Sequence, residues 1–360
     1  MTSLDRLRGA GQPKRHNART IAALTGNPGC TRRAVLDAAG VDKPTLAETV
    51  GFPGSFGQSR FALARGNSFE AMLKADGCAL LLEALRSVGV TADEVGYDDL
   101  GADDDDTLAA RHDRTRALLA ERARAALIDH PLLTLEVAGQ TVFLEPDLIA
   151  YQARGRLHVV EIKSFAIIDG QADSAKVSGA AVQAAVYVLA LRRLLRSLGH
   201  DEEVVSHDVV LVCPANFGLR PEAVVLDVRK QLATLRRQLT RLASVAGLVE
   251  ALPATVCFDL TLPVPHLISS LAAVEARYAP ECLSACELAV FCRDEARGTT
   301  AALGRPVREA LGGVSSVDVA LRLAAGAPAP SDDLQEAAAL LRTAAQLRAE
   351  AMSTGEASTA

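Results

Sequence analysis

The hydrophobic period changes at Pro131, and that change limits the folds open to this chain of 360 residues more than any other feature. Upstream, residues 67–88 and 105–128 carry apolar positions at helical spacing, and Pro131 ends the second stretch. Downstream, residues 132–137, 141–149 and 156–164 read as three short strands. They are joined by Gly139-Gln140 and Arg154-Gly155, the turn chemistry of an antiparallel meander. A long apolar helix over 174–198 follows and is stopped by Gly199. Residues 204–212 and 223–228 read as two further strands. Leu232, Leu235, Leu239 and Leu242 then mark one face of a helix, with Arg236, Arg237 and Arg241 off that face. This order of elements predicts a mixed α/β domain.

Hydrophobic residues make up 49% and charged residues 23%, the balance of a globular protein. Aromatics are only 4% and Trp is absent, so Ala, Leu and Val must fill the core. The longest apolar run, 180–191, is interrupted by Gln183 and is shorter than the roughly 18–20 residues a bilayer span needs. The basic N-terminus (Arg6, Arg8, Lys14, Arg15, Arg19) lacks the apolar stretch of a secretory signal. A cytoplasmic protein with no membrane partner is expected. Residues 1–25 read as a flexible basic arm, ended by the turn Gly26-Asn27-Pro28-Gly29. Residues 298–360 read as an Ala-rich helical tail with a helix N-capped by Ser331. The net charge of −6 hides an asymmetry, because eight acids lie between Asp93 and Asp106 and the rest of the chain is locally basic.

Two groups of residues carry chemistry. In the first, Glu161 and Lys163 are two apart on one strand and share a face, whereas Val160 and Ile162 point into the core. An antiparallel neighbour can place Asp147 of Glu145-Pro146-Asp147 beside them. Two close carboxylates repel unless a cation sits between them. Oxygen ligands of this kind select Mg²⁺ or Mn²⁺. A water beside that cation, positioned by Lys163, would be the nucleophile for phosphodiester hydrolysis. Gln183 and Tyr187 are i and i+4 on the next helix and can point at the same place. His158, out of phase with Glu161, reads as structural.

The second group is Cys282-x3-Cys286-x5-Cys292, three thiols in eleven residues, with Cys30 after the N-terminal turn as the best fourth ligand. Three close thiolates and one distant one suit an iron–sulfur cluster better than zinc, which usually takes two close pairs. Cys78, Cys213 and Cys257 sit in apolar surroundings and read as core.

Pro146-Asp147, Glu161-Ile162-Lys163 and Gln183-x3-Tyr187 resemble the motifs of the RecB-like PD-(D/E)XK nucleases, with Gly66-Asn67-Ser68-Phe69-Glu70 at the place of that family's first motif. Most members have His where this chain has Glu70. One N-terminal and three C-terminal cysteines are the pattern of the iron–sulfur subgroup, which includes AddB nuclease domains and CRISPR-associated adaptation exonucleases; its usual first interval is Cys-x2-Cys. The resemblance implies a restriction-endonuclease-like core, a mixed central sheet flanked by helices, over 26–297. It implies Glu70, Asp147 and Glu161 as Mg²⁺ or Mn²⁺ ligands, Lys163, Gln183 and Tyr187 as catalytic partners, and a 4Fe-4S staple on Cys30, Cys282, Cys286 and Cys292. The activity expected is metal-dependent DNA cleavage in repair or defence, with an exonuclease acting on single-stranded or unwound DNA as the form. The alternative is a nuclease-fold DNA-binding or assembly subunit with little cleavage. No lysine follows a Gly as in a phosphate-binding loop, so any unwinding falls to a partner helicase.

Overall fold

The computed structural model describes residues 2–54, 60–90, 95–101, 107–121, 126–138, 140–151, 156–216, 218–243 and 245–356. The helices are α1 (Ser3–Arg8), α2 (Ala18–Ala23), α3 (Thr31–Ala39), α4 (Lys43–Thr49), α5 (Arg60–Ser87), α6 (Leu108–Glu121), α7 (Ser174–Ser197), α8 (Arg229–Ala243), α9 (Val245–Glu250), α10 (Val264–Ala272), α11 (Ala289–Glu295), α12 (Arg305–Ala310), α13 (Val317–Ala324) and α14 (Gln335–Glu356). The strands are β1 (Gly96–Asp99), β2 (Ala126–Asp129), β3 (Leu133–Val137), β4 (Gln140–Leu144), β5 (Leu148–Tyr151), β6 (Leu157–Ile162), β7 (Asp208–Pro214) and β8 (Pro221–Asp227). The chain divides into two compact units, one of Met1–Pro28, Ala34–Val41 and Gly57–Leu252, the other of Gly29–Arg33, Asp42–Phe56 and Pro253–Ala360.

The first unit is built on a mixed six-stranded sheet in the order β1-β2-β5-β6-β7-β8. The pairs β2–β5, β5–β6 and β7–β8 are antiparallel, whereas β1–β2 and β6–β7 are parallel. A parallel pair needs a crossover, and α7 supplies it between β6 and β7. Asp173 caps α7 by accepting the amides of Ala175 and Lys176. Its alanine-rich body lies against the sheet, burying Ala184, Val188 and Leu191 among others. By length and composition this helix could cross a membrane, so the chain does hold one such segment, yet 56% of its most apolar window is buried in the fold. On the other face of the sheet, Phe69, Leu73, Leu81 and Leu85 of α5 pack on Val160, Ile162, Val210 and Val212.

Several expectations are corrected. The helix expected over 105–128 ends at Glu121, and Ala126–Asp129 is strand β2. All four residues of β2 are buried, so they show no alternation that would separate them from a helix turn. The strand expected over 141–149 splits into β4 and β5, because Pro146 has no N–H to give the ladder. β3 and β4 form a separate two-stranded hairpin rather than part of a meander. Over the described residues 2–25 the expected flexible arm is not found. Thr2 and Asn17 each make a capping box, and Leu7 and Ile21 are fully buried. Of the acidic stretch, Asp98 and Asp99 lie in β1, and 93–94 and 103–106 fall outside the described residues.

In the second unit, Leu311, Val314, Ala320, Leu323, Ala337 and Ala338 make a small core of α12–α14 and the turns joining them. The expected boundary at 297 is not a division of the fold, since 253–297 and 298–360 belong to one unit. Replacing Ile21 by Ala should cost about 2–4 kcal/mol, the usual loss for a buried Ile. The check is thermal and denaturant unfolding together with trypsin digestion, in which Arg6, Arg8 and Arg19 should resist cleavage in the native protein. Rapid cleavage there with an unchanged unfolding midpoint would restore the flexible arm.

Candidate functional site

The ends of β2, β5 and β6 bring two groups of charged residues to one end of the sheet of the first unit. The β5–β6 register pairs Leu148 with Val160, so its next step sets Asp147 opposite Glu161. The Ile162 amide donates to Asp147 Oδ2 at 2.7 Å, which holds that carboxylate at the strand end. Val160 and Ile162 face α5, and Glu161 therefore faces α7, the side of Tyr187 and Gln183. Gln183 Nε2 donates to Tyr187 Oη at 3.1 Å.

Glu161 is 1% exposed, and no hydrogen-bond donor is aligned on either carboxylate oxygen among the described residues. Its one charged neighbour of opposite sign is the Lys163 ammonium, paired with Oε1. Burial and then the Asp147 charge push the Glu161 pKa up to about 8, against the pull of Lys163. Burial also raises Asp147, opposed by Lys163 and the Ile162 amide. Burial alone would lower Lys163, but Glu161 and Asp147 outweigh it and hold its pKa above the ordinary value. Tyr187 is raised by burial and by the Glu161 charge. Asp147, Glu161, Lys163, Gln183 and Tyr187 thus form one group, as the sequence suggests. Two carboxylates sharing one ammonium form a donor set short of positive charge, which fits a divalent cation held by oxygen.

Glu70 belongs to a second group on the opposite face of the sheet. The Lys74 ammonium pairs with Glu70 Oε1 and lies 2.7 Å from Asp129 Oδ1 and 3.3 Å from His130 Nε2. Tyr97 Oη donates to Asp129 Oδ2 at 2.5 Å. Glu70, Asp129 and His130 each offer a ligand atom within 4.8 Å of the others, but the Lys74 ammonium contacts all three. The chain's own cation fills the place an ion would take. Hydrogen bonding to His130, and then Lys74, holds Glu70 at about 2 against burial. The same contact raises His130. The two groups meet through the backbone, where the His130 amide donates to the Asp147 carbonyl at 3.4 Å, and the Glu70 charge is felt at Asp147.

Lys74, Tyr97, Asp129 and His130 escape the sequence reading, because residues 126–130 read there as the end of a helix and its exit. Two local signals mark His130. Its φ of 48° is left-handed, and a Cβ on Gly101 would lie 2.8 Å from its Nδ1, so the ring fits only beside a glycine. His158 is structural, its Nδ1 lying 2.9 Å from the Asp208 carbonyl. Arg236, Arg237 and Arg241 are exposed on α8, opposite the buried Leu232, Leu235, Leu239 and Leu242.

In the second unit, the start of α3 lies beside the 274–295 segment. Arg32 donates from Nε to the Val274 carbonyl at 3.0 Å, from Nη2 to Glu295 at 3.2 Å and from Nη1 to Cys292 Sγ at 3.3 Å. The Cys286 amide donates to the Cys282 carbonyl at 2.8 Å, and Cys292 lies on α11. Burial pushes Cys286 up to about 11 and Cys292 up to about 12, against the Arg33 and Arg32 charges respectively. The Cys30 and Cys286 charges act on Cys292, and those of Cys282 and Cys292 act on Tyr278, so all four thiols share one neighbourhood. Cys286 lies near the Arg33 charge and Cys292 near the Arg32 guanidinium, which offset part of the burial; without a metal to displace the protons, both thiols stay protonated at neutral pH. Cys78 and Cys213 are buried and Cys257 is half-buried.

Without divalent cations, Glu161 should make stability fall as pH rises. Its pKa is near 4.5 unfolded and about 8 folded, so between those values the folded chain holds the extra proton. Melting temperature in EDTA should drop by several degrees between about pH 5 and 8.5, and Glu161→Gln should flatten the profile. A profile that rises with pH would show Glu161 ionised and well solvated. A scan of protein-family profiles finds none that matches this chain, and a search of curated proteins finds no match.

Proposed function

We propose that the first unit is a divalent-metal-dependent DNA nuclease of the RecB-like PD-(D/E)XK type. The observation that carries this reading is the buried Glu161 carboxylate, without an aligned hydrogen-bond donor and set opposite Asp147 with Lys163 as its ion-pair partner. Asp147 and Glu161 would hold Mg²⁺ or Mn²⁺. The bound cation supplies Lewis acidity for phosphodiester hydrolysis. Lys163 orients the attacking water and offsets negative charge that grows on the phosphate. Tyr187, fixed by Gln183, closes the α7 side of the carboxylates with a neutral phenol. Glu70 is committed to Lys74 and His130, so it supports the site from across the sheet rather than as a first ligand. That commitment is also what favours the second reading, a DNA-binding or assembly subunit, since it leaves two carboxylates for the cation.

DNA, single-stranded or opened by a partner helicase, is the proposed substrate, and a repair or defence role in the cytoplasm is the setting. Cleavage should require Mg²⁺ or Mn²⁺ and fall at least 100-fold in Asp147→Ala, Glu161→Ala and Lys163→Ala with the fold retained. Labelled DNA incubated with each variant measures this; full activity in EDTA or in Lys163→Ala would refute the site.

For the second unit, the proposal is an iron–sulfur cluster, 4Fe-4S, on Cys30, Cys282, Cys286 and Cys292. Ligation by both Cys30 and the 282–292 segment would close a loop of about 250 residues, a constraint worth about 4–5 kcal/mol by analogy with a disulfide. Anaerobically purified protein should be brown with broad absorbance near roughly 400 nm. Each Cys→Ser change at these four positions should bleach it and lower the melting temperature, while changes at Cys78, Cys213 or Cys257 keep the colour. Colourless protein with one zinc would replace the cluster by a structural zinc.

A further inference from the structure

Ser164 and Phe165 follow Lys163 directly, and the chain then turns through residues 166–172 to reach α7. Beside that turn lies a cavity of about 610 Å³. Its walls include Arg65 of α5, Phe165, Ile168, Lys176 in the first turn of α7, and Asn216 and Leu219 from the β7–β8 connection. The volume lies in the range of small-molecule pockets, about 300–1,000 Å³. Only Ser164 lies between Lys163 and Phe165, so their backbones are at most about 7 Å apart.

The walls have a definite chemistry. Phe165 is half-buried and packs on the cluster of Ile167, Ala180, Leu211 and Cys213, so the ring is held from behind. Ile168 and Leu219 are 41% and 45% exposed, apolar surface that faces water in the free protein. Arg65 and Lys176 are exposed and make no ion pair among the described residues. Asp173 is the one acid of the lining among the described residues, and its Oδ1 is already taken by the amides of Ala175 and Lys176, both at 3.0 Å. The loops are braced against each other. The Ile167 amide donates to the Pro214 carbonyl at 3.0 Å, and the Asp169 amide donates to Asn216 Oδ1 at 2.9 Å. That bond leaves Asn216 with two amide donors.

We infer that this cavity binds the unpaired nucleotide of single-stranded DNA that adjoins the phosphate held at Asp147 and Glu161, an inference that rests on the nuclease reading. Phe165 stacks on the base, Arg65 and Lys176 contact its phosphate, and the Asn216 amide meets polar atoms on the base edge. A free phosphate would use the cations but not the ring. A duplex keeps its bases stacked inside and cannot offer one to Phe165.

The test is fluorescence anisotropy of a labelled oligo-dT of about 12 nucleotides with the full chain in Ca²⁺, paired with cleavage of the same strand in Mn²⁺. Phe165→Ala should weaken binding about tenfold, with Phe165→Tyr close to wild type. Arg65→Ala and Lys176→Ala, at exposed positions that leave folding intact, should each weaken binding and lower the salt slope by about one. An abasic site stepped along the strand should penalise wild type most at one position, and that penalty should vanish in Phe165→Ala. Inorganic phosphate should compete weakly, and duplex binding should be indifferent to Phe165. Binding that responds in this way without cleavage would overturn the nuclease reading and keep the pocket. Cleavage with unchanged affinity in all three alanine variants would overturn the pocket and keep the nuclease. A wild type that binds no oligonucleotide, or loses nothing at an abasic site, overturns the inference.

Discussion

The β5–β6 pairing brings the partly exposed carboxylate of Asp147 against the fully buried carboxylate of Glu161, and the charge arrangement on the α7 face follows from it. Two hydrophobic layers hold that register. α5 packs Phe69 and Leu73 on one face of the sheet, and α7 covers the other. Slipping β5 by one residue would turn Leu148 and Ala150 out of the core, so the core that stabilises the fold also fixes the repulsion. Burial then makes Lys163 count for far more than a surface lysine would.

The sheet separates two charge systems that share one end. On the α7 face, Asp147 and Glu161 meet the Lys163 ammonium; on the α5 face, the Lys74 ammonium contacts Glu70, Asp129 and His130 together. Tyr97 donates to Asp129 Oδ2, whereas Asp129 Oδ1 and both Glu161 oxygens have no aligned donor among the described residues and rely on the Lys74 and Lys163 ammoniums.

Much of this was legible from residue spacing. The apolar run Leu157-His158-Val159-Val160 predicts the strand that carries Glu161, with Lys163 just past its end, and the neighbouring Asp147 comes with it. The i,i+4 spacing of Gln183 and Tyr187 predicts a shared helix face, on which the structure adds a hydrogen bond between them. Burial hid the rest. β2 is covered on both sides and therefore lacks the alternating pattern that betrays a half-buried strand, so Asp129 and His130 were concealed with it. Leu4 and Leu7, and Ile21 to Leu24, are short apolar pieces in a polar, basic stretch, each about one helical turn and too brief to signal a packed helix. Within the second unit, Gly29–Arg33 lies beside residues 274–295 through Arg32, a contact over some 260 positions that no local pattern carries.

Arginine supplies 32 of the 38 basic residues in this chain, so a lysine is the exception in its composition. Three of the six lysines, Lys43, Lys74 and Lys163, are shielded and paired with carboxylates, and the other three are exposed. A guanidinium is planar and broad, and it cannot take the place of a compact ammonium enclosed by several oxygens. A bias toward arginine thus leaves lysine standing where geometry forbids the exchange. In a chain of this composition each of the six lysines is a position to inspect before any fold is known, and three of them turn out to hold an enclosed charge.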